Sequence, residues 1–466
     1  MSESPASEPE ASPAAAVAAA PAPPEPGGMR AFYTLWTTQT LSLFGTFVTQ
    51  FAVNIWLTQE LYPAPAQKAA LALALSATTI AFTAPLIFGM PLAGAFADRH
   101  DRRRILIVAN AASCVLTLAL VALLAVHALT LPIAVVLLAG YSLASSFHSA
   151  AFDSSLPLLA PPDKLPRANG MMMSSFALSQ LLAPALAASL IGVPALVRTS
   201  GWPLPWIAHL ERGTLFAFAA DAVSFLIAGI AVALMRIPQP VRPPHAAHQS
   251  LVADVREGFL WIVHRRPFLW LIAFGSLANL MLAPLMLFLP LLVRDRMRAD
   301  WSGHHGDYAA ALATVNVIGG LGGVLGGVAV SIWGGRVRRR PVAMVFCILM
   351  LALAESLTGL AHTVGAAGAG LFAAMFFVGP LNTFSVTLWQ SLTPPHMLAR
   401  AMSTRRFIAQ SFFPIGTFLA GWLAVPFDPA WVVAISGAVL ALACASQLLA
   451  GTVTHLEDHM REAAGR

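Results

Sequence analysis

The sequence predicts an all-α integral membrane protein whose twelve transmembrane helices form two pseudo-symmetric halves of six helices each. Composition is the first observation behind this prediction: of the 466 residues, 58% are hydrophobic and 10% are charged. A soluble domain carries about 25% charged residues, so this chain lacks the polar side chains needed to cover a water-facing surface. A series of long apolar runs and an internal repeat are the other two observations.

The apolar runs define the transmembrane spans. A helix needs about 20 apolar residues to cross the hydrocarbon core of a bilayer. Because lipid offers no hydrogen-bond partners, only helices and closed barrels cross it. These runs are too long and too uniformly apolar for the alternating strands of a barrel. We predict spans one to twelve, in chain order, at 33–57, 69–97, 104–127, 130–152, 168–192, 213–236, 267–292, 307–333, 341–361, 364–390, 404–425 and 429–452.

Positive charge predicts the orientation of these spans. With the N-terminus placed inside the cell, 21 Lys and Arg residues fall on the inner side and 6 on the outer side. Loops that face the cytoplasm carry the excess of Lys and Arg. Both termini are therefore predicted to be cytoplasmic.

A polar connection near the middle divides the chain into two halves. Residues 1–28 are predicted to be a disordered cytoplasmic tail, because the segment is polar and proline-rich and has no basic region followed by an apolar core. The first six-helix half is predicted at 29–236, and a cytoplasmic linker with an amphipathic interfacial helix at 237–266. The second half follows at 267–455, and a cytoplasmic tail at 456–466.

An internal repeat relates the two halves. Gly94 and Gly327 begin two similar loops 233 residues apart, and the pair Pro161-Pro162 recurs as Pro394-Pro395 at the same offset. Six helices per repeat give both halves the same orientation, as in parallel repeats related by an axis along the membrane normal.

The loop after span two, "GAFADRHDRRR" at 94–104, carries the family resemblance. It resembles the signature G-x-x-x-D-R-x-G-R-R of the major facilitator superfamily, with Asp101 in place of the second glycine. The resemblance implies a gating role in which Gly94 permits close helix approach and Asp98 pairs with an arginine or caps a helix N-terminus. The arginines after Asp101 are interpreted mainly as topological anchors. The residues assigned to this gating motif and its second-half copy are Gly94, Asp98, Arg99, Arg102, Arg103, Gly327, Gly334 and Arg336.

Span five is similar to the antiporter signature of the same superfamily, G-x8-G-x3-G-P-x2-G-G. Only Gly170 and Pro184 match it literally, while the other positions hold small residues that still permit close helix contact. The alternative is an ordinary small-residue packing face. Glycines of span eight, with Gly319, Gly323 and Gly327 on one face, are expected to pack against span five across the two halves. The span-five motif consists of Gly170, Ser179, Ala183, Pro184, Ala187 and Ala188.

Polar side chains within the spans supply the remaining candidate sites, because an ionisable group in the membrane needs a functional or structural reason. Asp221, Glu355 and His148 are candidates for proton coupling, and the alternative for each is a structural hydrogen bond between helices. The resemblance implies a central cavity lined by spans one, four, seven and ten. The candidate cavity residues are Gln39, Gln50, Asn54, Asn279, Asn382 and Gln390.

These features predict a secondary active transporter, expected to be a proton-coupled exporter of amphipathic small molecules that works by alternating access. The phrases "LWTTQTLSLFGTFVTQFAVNIWL" and "FAADAVSFLIAG" resemble the branch that exports macrolides, other drugs and siderophores. An importer or symporter of a small solute, and a non-transporting receptor on the same fold, remain alternatives.

The expected partners are the lipid bilayer and a small-molecule substrate. We expect a functional monomer in the inner membrane of a bacterial cell, with no nucleic acid, no cofactor and the proton gradient as energy source. The sequence has no nucleophile–base set, zinc signature or nucleotide motif, so the chain is not expected to be an enzyme. The outer-loop residues His304, His305 and Asp307 are interpreted as solvated rather than metal-binding.

Overall fold

A computed structural model describes residues 28–159, 164–200, 212–237, 251–303, 307–394 and 397–449. Within these ranges the chain forms fourteen α-helices and no strand. The helices are α1 (Gly28–Ile55), α2 (Lys68–Arg99), α3 (Arg102–Ala125), α4 (Leu131–Leu159), α5 (Leu165–Ser200), α6 (Thr214–Leu234), α7 (Leu251–Val263), α8 (Arg266–Asp295), α9 (Arg298–Gly303), α10 (Tyr308–Trp333), α11 (Arg340–Leu360), α12 (Val364–Leu392), α13 (Leu398–Leu423) and α14 (Pro429–Leu449).

Three shorter helical turns join these elements. A π-helical turn, Trp56–Leu61, continues α1, and 3₁₀ turns occupy Pro65–Gln67 and Gly334–Arg336. Several predictions concern residues outside the described ranges, namely the two tails, Pro161, Pro162, Pro395, His304 and His305.

The twelve predicted spans are confirmed as the twelve long helices of the described chain. Span five corresponds to α5, span seven to α8, span eight to α10, and spans nine to twelve to α11 through α14. Eleven of these helices are long and apolar enough to cross a membrane by length and composition. The remaining one, α13, begins six residues before the predicted span, and its first turns hold Arg400, Arg405 and Arg406.

Packing between the helices divides them into two sets of six. In the first half, α2 packs on α4, α3 on α4 and α6, and α1 on α5 and α6. The second half repeats this pattern, because α10 packs on α12, α11 on α12 and α14, and α8 on α13 and α14. The two halves meet mainly where α5 contacts α10 and where α2 contacts α13. The exact domain limits given above stay a prediction.

The buried apolar side chains lie in clusters that differ between the two ends of the bundle. We call the end that holds the loops at 99–104 and 336–340 the arginine-rich end. At the opposite end, one buried cluster draws on both halves, including residues 48–57 of α1 and the following π-helical turn and residues 285–293 of α8. At the arginine-rich end, the first half has its own cluster around Leu106 and the second half a separate one around Trp389. The halves therefore share one buried apolar cluster at one end and have separate clusters at the other.

The predicted interfacial helix of the linker is α7. It packs on α13 and α8, and Arg400 Nη1 lies 2.7 Å from Glu257 Oε2. The guanidinium of Arg265 lies 4.5 Å from the centroid of the Trp261 ring, a cation–π distance. These contacts attach α7 to the second half, while Phe259 on α7 is 47% exposed.

Candidate functional site

Opposite the arginine-rich end, the two halves are held together by polar contacts. Lys68 Nζ lies 2.7 Å from Asp428 Oδ2, and Arg294 Nη1 donates to the Tyr62 carbonyl oxygen at 2.7 Å. Between α2 and α13, Ser76 Oγ donates to the Thr417 carbonyl oxygen at 2.9 Å. The sequence identified Lys68 and Arg294 only as outer cations, because their partners lie more than 200 positions away.

Towards the arginine-rich end, a proton-coupling candidate and a cavity candidate meet. His148 Nε2 on α4 lies 2.6 Å from Gln39 Oε1 on α1, so a proton on this ring nitrogen is donated to the amide oxygen. The His148 ring also stacks on Phe152, with centroids 6.1 Å apart and planes 8° apart. Gln39 is buried, and its Nε2 has no hydrogen-bond partner among the described residues. This pair therefore retains an amide donor for another acceptor.

The other candidate cavity residues lie on the expected helices but are not gathered into one cluster. Asn279 on α8 donates from Nδ2 to the Gly275 carbonyl oxygen of its own helix at 2.9 Å. Asn382 and Gln390 are exposed on α12, and Gln50 and Asn54 are half-buried on α1. Their contact with a substrate stays a prediction.

Arg405 is a polar residue of this region that the sequence marked only as one of the inner-side cations, although it falls within the predicted span at 404–425. It lies on α13, and its Nη2 donates to Ser385 Oγ on α12 at 2.9 Å. Its guanidinium carbon lies 5.9 Å from the centroid of the Trp389 ring. The second half thus has a cation held in place near the arginine-rich end.

Asp221 lies fully buried between α6 and α1. Thr49 Oγ1 donates to Asp221 Oδ2 at 2.6 Å, and Ser224 Oγ lies 3.4 Å from Oδ1. Gly45 stands one turn before Thr49, where a side chain would collide with the carboxyl group. Sequence reasoning missed Gly45 and Thr49, although their spacing of four places them on one helix face.

A second hydroxyl bond lies beside the Asp221 site. The Tyr141 hydroxyl on α4 donates to Thr46 Oγ1 on α1 at 2.7 Å. Polar groups of α1, α4 and α6 thus occupy the middle of the first half.

Glu355 lies fully buried between α11 and α14. Ser436 Oγ donates to Glu355 Oε1 at 2.9 Å, and Oε2 has no partner among the described residues. No lysine or arginine described here lies within ion-pair distance of Asp221 or Glu355. The helices α11 and α14 pack within the second half, so Glu355 lies away from the surface that faces the first half.

Asp101, which replaces the expected glycine of the loop signature, is the N-cap of α3. Its side chain accepts from the backbone N–H of Arg103 at 2.9 Å and of Arg104 at 3.3 Å. Free N–H groups at a helix start are satisfied in this way by aspartate. The substitution of the glycine therefore has a structural explanation in this chain.

Two of the arginines that follow Asp101 bind helix-end carbonyl oxygens, a role that their interpretation as topological anchors did not include. Arg102 Nη1 donates to the Ser154 carbonyl oxygen on α4 at 2.8 Å. Arg103 donates from Nε to the Val232 carbonyl oxygen at 3.3 Å and from Nη2 to that of Ala233. The last carbonyl groups of α6 have no partner within the helix and carry partial negative charge. This loop thus fixes α3 to the ends of α4 and α6.

Comparison with known families decides the identity of this fold. The family model of the Major Facilitator Superfamily matches residues 35–331. The chain belongs to the major facilitator superfamily. It is therefore a multi-pass membrane protein of a transporter family, in agreement with the predicted fold class.

Two relatives match most of the chain. Macrolide efflux protein A of Streptococcus pyogenes is 26% identical over 405 residues, which are 84% of this chain and 89% of the relative. The Enterococcus faecalis protein of the same name is 25% identical over 356 residues, covering 74% and 99%.

Two solved structures share the fold. A bacterial homolog of the human lysosomal transporter Spinster, inward-facing and unoccupied, has a TM-score of 0.62 at 16% identity, covering 94% of this chain and 95% of that one. A POT family transporter in complex with 5-aminolevulinic acid has a TM-score of 0.68 at 14% identity, covering 90% and 96%.

Three glycines of the superfamily motifs have open space around them in this conformation. Among the described residues, nothing outside the local helix lies within 4 Å of a Cβ placed at Gly94, Gly327 or Gly170. No neighbouring helix of the described chain approaches Gly94 in this conformation, so the close approach expected there stays a prediction. Asp98 lies close enough to Arg102 for the two charges to attract each other, and Arg99 is exposed at the end of α2.

Part of the small-residue motif of α5 faces inward, and its role as an antiporter motif stays a prediction. Ser179, Ala183 and Ala187 are buried, and α5 packs on α1 and α10. Ala188 is half-buried, whereas Gly170 is exposed.

Span eight packs on span five across the two halves, as expected, but not through the expected face of Gly319, Gly323 and Gly327. A Cβ at Gly319 would lie 2.6 Å from Leu371 Cγ on α12, and one at Gly322 would overlap the Phe372 carbonyl oxygen. These glycines pack within the second half. The glycine that meets α5 is Gly320, where a Cβ would lie 2.9 Å from Leu181 Cα.

Proposed function

We propose that the chain is a secondary active transporter that exports amphipathic small molecules, such as drugs, macrolides or siderophores, by alternating access. The observation that carries this proposal is the asymmetry between the two ends of the bundle. One buried cluster joins the halves at one end, and two separate clusters lie at the other. With the arginine-rich end in the cytoplasm, the chain is inward-facing, and rocking of the halves would open the opposite end.

The proposed direction and substrate class rest on two supports. The relatives that span most of the chain are named as macrolide efflux proteins. Polar residues on the helices expected to line the cavity are mostly uncharged, as Gln39, Asn279 and Asn382 illustrate. An uncharged polar surface among apolar side chains suits amphipathic compounds better than strong anions.

Proton-coupled antiport is the proposed energy source, and Asp221 is its leading carrier. Asp221 is bound to Thr49 of α1, and α1 also holds Gln39, which binds His148. A proton taken up at the outer side and released inside would drive export. Glu355 is the weaker carrier, since it lies between α11 and α14 away from the first half. The proposed transporter works as a monomer in the bacterial inner membrane, without a cofactor.

Gly94 and Asp98 are the proposed cytoplasmic gate. The open space around Gly94 belongs to the inward-facing state, and closure would bring the second half against it. We propose that Asp98 then forms a contact with the second half that breaks again on opening.

Transport assays in everted vesicles of cells that express the full chain test these proposals. The substrate is first identified by a drug-sensitivity and metabolite-secretion screen of a deletion strain. Asp98→Asn is expected to reduce uptake without loss of membrane insertion. Asp221→Asn is expected to abolish the dependence of uptake on the pH gradient, and its matched control, Glu355→Gln, to preserve it. Normal uptake by Asp98→Asn would contradict the gate, and pH-driven uptake by Asp221→Asn would contradict the proton carrier.

A further inference from the structure

An ion pair joins the two halves at the end opposite the arginine-rich loops. Lys68 is the first residue of α2 in the first half, and Asp428 directly precedes α14 in the second half. Lys68 Nζ and Asp428 Oδ2 are 2.7 Å apart, with side chains 35% and 47% exposed. The pair is therefore accessible to solvent while it bridges the halves.

Asp428 also interacts with its own half. Its Oδ1 accepts from the Ala430 backbone N–H at 2.8 Å, at the start of α14. Arg296 of the second half lines the same cavity of about 180 Å³ as Lys68 and Asp428. Partial burial favours the neutral acid, but the bonds from Lys68 and Ala430 and the charges of Lys68 and Arg296 prevail, so the pKa of Asp428 lies below its ordinary value. Asp428 is thus a carboxylate between two cations from different halves.

Arg296 has unused capacity to bind this carboxylate. Its Nη2 lies 3.0 Å from His362 Nε2, and its Nε is buried with no partner among the described residues. A buried N–H without an acceptor is unfavourable. Because Arg296 lines the same cavity as Asp428, a rotation of its side chain would bring the guanidinium to a carboxylate released by Lys68.

We propose that Asp428 exchanges partners during the transport cycle: it binds Lys68 and closes the outer mouth in the inward-facing state, and binds Arg296 in the outward-facing state. This inference rests on the proposed alternating access and orientation. An opening that left Asp428 without a cation would favour the closed state by the modest amount of a partly exposed ion pair, and Arg296 offsets that amount. Lys68 and Arg296 are therefore positioning residues that set the balance between the two states with opposite signs.

A cysteine beneath the ion pair reports opening of the outer mouth. Leu291 lines the cavity and is 1% exposed. The native cysteines, Cys114, Cys347 and Cys444, are buried, so a Leu291→Cys variant has a low background. Its labelling from outside the cell by a membrane-impermeant maleimide measures the open fraction without any substrate.

The variants are expected to change this labelling rate in opposite directions. Lys68→Gln should raise it about two- to fivefold, the range for a partly exposed ion pair, and Lys68→Arg should restore it. Arg296→Gln should lower the rate by a similar factor, because Asp428 then has no partner in the open state. Arg298→Gln removes a neighbouring exposed cation that does not line the cavity and should leave the rate unchanged.

The direction in which the labelling rate changes distinguishes partner exchange from misfolding. Misfolding would expose Leu291→Cys in both variants, so a rise in Arg296→Gln, or no rise in Lys68→Gln, would overturn the inference. If these results occur while export in vesicles is normal, only the partner exchange fails. If Leu291→Cys is labelled in no variant, including a combined Lys68→Gln and Asp428→Asn change, alternating access itself is contradicted.

Discussion

Replacement of Gly320 by alanine is expected to disturb the contact between the two halves. A Cβ at this position of α10 would lie 2.9 Å from Leu181 Cα and 3.0 Å from Leu181 Cδ1 on α5. The first of these is a backbone atom, which no side-chain rotation can move away. Carbon atoms rest about 3.5 to 4.0 Å apart, so the helices must separate by about 0.6 to 1.1 Å. Such overpacking costs about 1 to 3 kcal/mol.

Gly323 of the same helix provides a matched control. The nearest atom to a Cβ at Gly323 is Met375 Cβ at 4.0 Å, an ordinary contact. Both alanine variants gain the same helix propensity, about 0.8 to 1 kcal/mol, so the difference between them isolates the clash. A difference of about 1 to 3 kcal/mol changes a conformational equilibrium by a factor of about 5 to 150.

Thermal unfolding of the purified chain in detergent and export in everted vesicles measure this difference. Gly323→Ala should unfold at or above the parent temperature and transport normally. Gly320→Ala should unfold at a lower temperature and transport more slowly. Equal unfolding temperatures and equal transport for the two variants would refute the assignment of Gly320 as the close contact between α5 and α10.

Two further predictions concern Asp101 and Asp428. Asp101→Ala should lower the free energy of unfolding by about 0.5 to 2 kcal/mol through loss of the α3 N-cap. Asp101→Asn keeps an acceptor oxygen and should retain the cap, so equal unfolding temperatures for the alanine and asparagine variants would contradict it. Burial raises the pKa of Asp428, but the Lys68 and Ala430 bonds and nearby charges hold it below its ordinary value, so the closing contribution is complete at neutral pH and lost as pH falls through that lowered pKa. Because a maleimide reacts with the thiolate, the labelling rate of Leu291→Cys in detergent is divided by that of free cysteine at the same pH. This ratio should stay constant from pH 7 to about 4 and rise only at lower pH; a rise in the ratio between about pH 7 and 5 would contradict this.

Features that depend on local composition were predictable from the sequence. Lipid accepts only helices with satisfied backbone groups, so each apolar run predicts a helix, and the structure contains one at every predicted run. The errors lie at the ends. Span four was predicted to end at residue 152, and α4 ends at Leu159. Span eleven was predicted to begin at residue 404, and α13 begins at Leu398. Apolarity indicates where lipid ends, whereas the helix continues as long as its backbone and capping groups allow.

The sequence by itself therefore determined the number of long apolar helices, the repeat and the superfamily motif. Only the tertiary structure decided which faces meet. Gly319 and Gly322 pack on α12 rather than α5, and Lys68 pairs with a residue 360 positions away. In a soluble helix the buried face is marked by apolar side chains. A transmembrane helix is apolar towards lipid and towards its neighbours alike, so its rotation is set by packing against the other helices.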